Sequence, residues 1–149
     1  MSTVRATAVA APGSTTASDT VSLDYHHRHR RRLAMRTDSG RDFLLDLADA
    51  RALADGDILL LEDGSAVQVQ AVPEQVLRIT APDTDTLVRI AWHIGNRHLA
   101  AELHAEYLVI ADDHVIAEMV RGLGGDAEVV QQPFQPERGA YDHGHAHGH

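Results

Sequence analysis

Between Val21 and about Val72 apolar and polar residues alternate with a period of two. Leu33 and Met35 alternate with polar neighbours, Asp38-Ser39-Gly40 makes a turn, and Phe43, Leu45 and Leu47 resume the alternation. Asp55-Gly56-Asp57 is a second turn before the apolar run Ile58–Leu61, and Glu62-Asp63-Gly64-Ser65 turns the chain into Val67, Val69 and Ala71. Short strands joined by Asp-Gly turns predict a small antiparallel β domain over residues 21–73. Residues 1–20 are small and polar and are expected to be disordered.

From Glu74 the period changes. Val76–Ile79 predicts a strand, and Pro82-Asp83-Thr84 supplies a helix start. Leu87, Ile90, Ala91 and Ile94 then fall at i, i+3, i+4 and i+7, one helical face that Gly95-Asn96 ends. Leu99–Leu103 and Tyr107–Ile110 can form two strands. Asp112-Asp113 caps a second helix with Val115, Ile116, Met119, Val120 and Leu123 as its apolar positions, closed by Gly124-Gly125. Ala127–Val130 is a final strand. The order βαββαβ is ferredoxin-like, so the chain is expected to be an α+β protein with this second domain over residues 74–140. Residues 141–149 are expected, from their composition, to form a flexible histidine-rich tail.

Composition narrows the function classes. With 149 residues, 44% of them apolar, the chain can bury a core. It has no cysteine, which removes disulfides, thiol catalysis and thiolate metal sites and fits a reducing compartment. Net charge is −9, unevenly spread: residues 1–37 hold six arginines against Asp19 and Asp24, whereas the remainder holds seven arginines against twenty acids. An acidic body is a poor partner for nucleic acid and a fair attractor of cations. No run approaches the ~18 apolar residues of a spanning helix, and the start is not a signal peptide, so no membrane contact and a cytoplasmic location are expected.

The candidate chemistry lies in the histidines. His143, His145, His147 and His149 alternate with Gly and Ala in the last seven residues. Neutral imidazole binds late first-row metals, and if the tail is extended alternate side chains repeat every ~6.6–6.8 Å on one side, so a modest bend brings neighbours onto one ion. An alternating rather than unbroken run reads as native sequence, not a purification tag. His93 and His98 are five residues apart, about 140° around a helix, so they do not make the i, i+4 pair of a helical zinc site. His98 follows the helix stop and by itself reads as a helix-end histidine. His104 reads as structural. Asp112 and Asp113 complement the start of the second helix, and Asp113 with His114 forms an alternative, auxiliary metal pair. His26-His27-Arg28-His29-Arg30-Arg31-Arg32 reads as an exposed strand edge or loop, or as a contact for an acidic protein; its arginines repel a metal cation.

Several ordered segments resemble one family. Leu53-Ala54-Asp55-Gly56-Asp57-Ile58-Leu59, Glu62-Asp63-Gly64, Val67-Gln68-Val69 and Glu74-Gln75-Val76-Leu77 resemble the N-terminal domain of the urease accessory protein UreE family. Ala91-Trp92-His93-Ile94-Gly95-Asn96-Arg97-His98 resembles that family's Gly-Asn-Arg-His signature. Asp113-His114-Val115, Glu118-Met119 and Gly122-Leu123-Gly124 resemble its second helix, and Phe134-Gln135-Pro136-Glu137 with Gly139-Ala140-Tyr141 resembles the stretch before its tail. The resemblance covers roughly residues 21–149.

The resemblance implies a non-enzymatic nickel metallochaperone. It implies a β-rich N-terminal domain that meets protein partners and a C-terminal domain that dimerises. His98 of both protomers would form one shared metal site, to which the tail histidines add ligands. Delivery would run through the urease accessory GTPase to the urease apoprotein. Some members carry a His-Asp-His triplet at the second helix; Asp112-Asp113-His114 lacks its first histidine, and the short tail speaks against bulk storage. Nitrogen ligation does not itself select Ni(II), so Zn(II) or Cu(II) would compete. Affinity should fall below about pH 6.5, where free histidine protonates. The alternatives are passive Ni/Zn buffering and a metal-dependent hydrolase. The latter needs three fixed ligands and a general base, for which the sequence offers no helical histidine pair.

Overall fold

The computed structural model describes residues 3–137. The chain divides into two compact units, one reaching Val72 and one starting at Pro73.

The first unit is a six-stranded sheet. Its strands are β1 (Arg5–Ala10), β2 (Asp19–Leu23), β3 (His29–Arg36), β4 (Asp42–Ala52), β5 (Ile58–Leu61) and β6 (Ala66–Ala71), with a one-turn helix α1 (Tyr25–Arg28) before β3. The turns read from sequence join β3 to β4 and β5 to β6, and Gly40 (φ 100°) and Gly64 (φ 89°) take the left-handed conformation those hairpins require. Leu33 pairs with Leu45 and Met35 with Phe43, so the period-two residues share the buried face.

Two expectations fail here. Residues 1–20 are not a disordered extension, because Arg5–Ala10 forms an inner strand between β5 and β4 in the order β2-β6-β5-β1-β4-β3. Nor is the sheet purely antiparallel, since β1 runs parallel to β4 and β2 parallel to β6. The missed strand and its parallel pairing with β4 have one cause. The alanine-rich β1 has weak local periodicity, and what holds it is distant in sequence. Arg5 donates to Asp46 on one neighbouring strand and to Glu62 beyond the other, each at 2.9 Å, while the Ala6 side chain is fully buried.

The second unit follows the predicted βαββαβ order: β7 (Glu74–Thr80), α2 (Thr84–Asn96), β8 (Glu102–Leu103), β9 (Leu108–Ala111), α3 (His114–Gly122) and β10 (Asp126–Gln132). Its sheet has the order β10-β7-β9-β8, antiparallel throughout. Leu77, Ile79, Leu108 and Ile110 pack with Leu87, Ile90 and Ile94 of α2 and Ile116 and Val120 of α3. Asp83 caps α2 by accepting from the Thr86 amide at 2.7 Å; the Thr86 hydroxyl and amide hold its carboxyl below the usual range. Val115, expected in the core, is 55% exposed. The buried stripe of α3 runs through Ile116, Ala117 and Val120, and Val115 lies one residue, about 100°, behind its leading edge. Among the described residues no helix is long and apolar enough to cross a membrane.

Candidate metal centre

Helix α2 ends at Asn96, where the sequence places its end, but Gly95 does not stop it. The residue in the left-handed region is His98, at φ 59°. The His98 amide donates to the Gly95 carbonyl at 3.0 Å and the Leu99 amide to the Ile94 carbonyl at 3.4 Å. Leu99 packs on the core that contains Ile94. This is a complete Schellman motif, whose left-handed position is ordinarily glycine. A side chain there costs about 1 kcal/mol, with histidine among the residues that tolerate it best. The fixed backbone projects His98 from the end of the helix, and the residue is exposed. A helix C-terminus carries partial negative charge, which favours a bound cation.

His114 sits in the opposite field. It is the first residue of α3, where partial positive charge disfavours a metal ion. Its neighbour Asp113 is the cap: one carboxylate oxygen accepts from the Val115 amide at 3.0 Å and the Ile116 amide at 3.3 Å. Asp112 accepts from Gln75 Nε2 at 2.5 Å. The carboxylates beside His114 are thus committed to the fold.

Four of the five remaining histidines of the described chain have structural surroundings, and the fifth, His26, is exposed, edge-on to the His27 ring. His104 Nε2 lies 3.0 Å from Glu102 Oε1, and its ring stacks on Tyr107 with centroids 4.2 Å apart; the Arg78 guanidinium lies 4.2 Å from the Tyr107 centroid. His27 Nδ1 lies 2.7 Å from Asp24, which also caps α1, and His29 Nδ1 hydrogen-bonds the Tyr25 hydroxyl at 3.1 Å. His93 is half-buried, edge-on to Trp92 with centroids 5.1 Å apart. Among the described residues no three His, Asp or Glu side chains converge as a metal site. His143, His145, His147 and His149 lie outside the described residues.

Sequence reading missed the outer face of α2. Val88 and Trp92 are 60% and 63% exposed, one helical turn apart on the element that ends at His98. Their signal was present: both are apolar yet out of phase with the core stripe Leu87, Ile90, Ile94.

Comparison with known proteins decides the family. Residues 3–72 match the profile of the UreE urease accessory protein N-terminal domain, and residues 74–149 that of the C-terminal domain. The chain belongs to the UreE family. This is a family of accessory proteins, not of enzymes. The chain is 53% identical to the urease accessory protein UreE of Azorhizobium caulinodans over 131 residues, covering 88% of this chain and 63% of that protein. It is 54% identical to the UreE of Rhodopseudomonas palustris over 129 residues, 87% of this chain and 60% of that one. With the UreE of a Chelativorans species it shares 47% identity over 152 residues, 98% of this chain and 96% of that protein. The chain therefore spans about three fifths of two of these UreE proteins and nearly all of the third.

Proposed function

We propose that this UreE-family chain is a nickel carrier for urease maturation, acting by ligand exchange. His98 of two protomers holds one Ni(II) at a homodimer interface, and His143, His145, His147 and His149 move the ion on and off. Zn(II) and Cu(II) compete for the same nitrogen ligands. The receiving partners are the urease accessory GTPase and the urease apoprotein complex.

The observation that carries this reading is His98 itself, an exposed imidazole in a backbone position that favours glycine, at the cation-attracting end of α2. A two-fold axis supplies a second copy of that ligand, so a single chain needs no cluster of its own. The exposed Val88 and Trp92 give the same helix an apolar face for the second protomer. His114 contributes little, for the electrostatic reason above.

Nickel titration calorimetry on the intact chain tests the site. The expected result is one tight ion per dimer, lost in a dimeric His98→Ala variant. Unchanged tight binding in that variant would overturn the interfacial site. Deletion of residues 143–149 should lower affinity or stoichiometry yet keep one ion per dimer. Urease activation at limiting nickel separates delivery from buffering: loss of the protein should lower activity and added nickel should restore it, and no change would favour a buffer.

A further inference from the structure

The basic run in the first unit is not absorbed by metal carriage. Strand β3 is the outermost strand of its sheet, pairing only with β4, so no strand of this unit meets its other edge. At the start of β3, Arg30 stands directly opposite Arg51 of β4. The register then breaks: the next pair is Arg32 with Asp46, and Ala48, Asp49 and Ala50 bulge out exposed. The ion pairs of this unit's arginines go to Arg5, Arg32, Arg36 and Arg41. Arg30, Arg31 and Arg51 have none among the described residues. Arg30 reaches only the His26 ring at 3.4 Å, and Arg31 only the Leu47 carbonyl at 3.3 Å.

Like charges directly opposite on neighbouring strands cost stability. Charged residues on an edge strand guard against aggregation, but β3 already has Arg32 and Arg36 for that purpose, Arg36 paired with Asp42 and Arg32 sharing Asp46 with Arg5. The Arg30–Arg51 pair adds cost with no internal return.

We infer that the edge of β3 is a docking site for an extended acidic segment of another protein, which adds as a seventh strand and places a carboxylate beside Arg30. An open edge offers backbone donors and acceptors to an added strand, and the facing side chains set its specificity. A carboxylate opposite Arg30 completes a row across one face in which the added charge offsets the opposed arginines. The site fits a short acidic strand better than a nucleic acid or an anionic membrane. From residue 38 onward the chain carries twenty acids against seven arginines, which repel an extended polyanion, whereas a peptide of a few residues confines its charge to the patch. This inference goes beyond the metal site and does not depend on it.

The test uses the full chain at low salt with a capped octapeptide of alternating Glu and Val as probe. Saturable binding is expected, weakened at least tenfold by Arg30→Glu and by N-methylation of alternate peptide amides. Arg51→Glu separates loss of charge from loss of fold: it should weaken peptide binding while raising the Tm, because it turns the opposed arginines into an ion pair. No binding at millimolar peptide would overturn the inference. So would equal binding of the N-methylated peptide, or tighter Arg30-dependent binding of oligouridine or phosphatidylserine vesicles.

Discussion

Helices α2 and α3 end in the same hydrogen-bond pattern but fill its left-handed position differently. At the end of α3, the Gly124 amide donates to the Arg121 carbonyl at 3.1 Å and the Gly125 amide to the Val120 carbonyl at 3.0 Å, with Gly124 at φ 97°. At the end of α2 the equivalent residue is His98, at φ 59°. One helix takes the residue that stability prefers. The other carries an exposed imidazole at a conformational cost of about 1 kcal/mol. The difference teaches that the Gly-Asn-Arg-His signature is more than a histidine in a loop: it places a side chain in a rigid, strained position at the negative end of a helix.

The sharpest way to break the comparison is to make the two ends alike. His98→Gly should lower nickel affinity more than about 100-fold, since losing a ligand costs at least what losing its supporting contacts does. The same change should stabilise the fold by about 1 kcal/mol, visible as a higher Tm. Lost binding with no gain in Tm would show that the left-handed histidine stores no strain. Next in size is Gly125→Ala. A Cβ there would lie 2.5 Å from Ile90 Cδ1 and 3.0 Å from both the Thr80 carbonyl oxygen and Val120 Cγ1, so a loss of about 1–3 kcal/mol is expected in denaturant melts.

Gly124→Ala should cost about 1 kcal/mol for a different reason. Its Cβ would meet only Thr86 Cγ2 at an ordinary 3.8 Å, leaving backbone conformation as the whole penalty. The two helix starts give smaller effects. Asp113→Ala should lose a cap, about 1 kcal/mol, and His114→Ala should change nickel affinity less than about threefold; a larger change would restore His114 as a ligand. The smallest effect is on acidification. The carboxyl of Asp83 is held below its ordinary 3.8 by the Thr86 hydroxyl and amide, so its share of stability is fully present above about pH 3.8 and is lost as pH falls through the lower folded value. A titration of helix content by circular dichroism should show that loss below pH 4, and should not show it in Asp83→Asn.

The two units also differ in how far they can be read. In the second, each strand and helix is announced by a neighbour in sequence: Asp83 and Asp113 begin helices, and the stripe Leu87, Ile90, Ile94 faces the sheet. In the first, only the β3–β4 and β5–β6 hairpins are local. β1 is placed by partners 41 and 57 residues away, and its pattern of alanines carries no period strong enough to reveal it. The candidate site divides in the same way. His98 is identifiable as a residue, but its left-handed backbone is not, because Gly95 three residues earlier is the obvious helix stop and proves to be an ordinary helical residue.

By itself, then, the sequence determined the order of the elements in the second unit, the β3–β4 and β5–β6 turns, the caps of α2 and α3, the family and the histidines worth weighing. All of these depend on short-range periodicity or on motif content. Tertiary structure decided the inner place of β1, the two parallel pairings, the opposed Arg30 and Arg51, and the helix-end position that distinguishes His98 from His114. Those depend on which distant backbones share hydrogen bonds and on which end of a helix dipole a side chain stands, and neither is written in local periodicity.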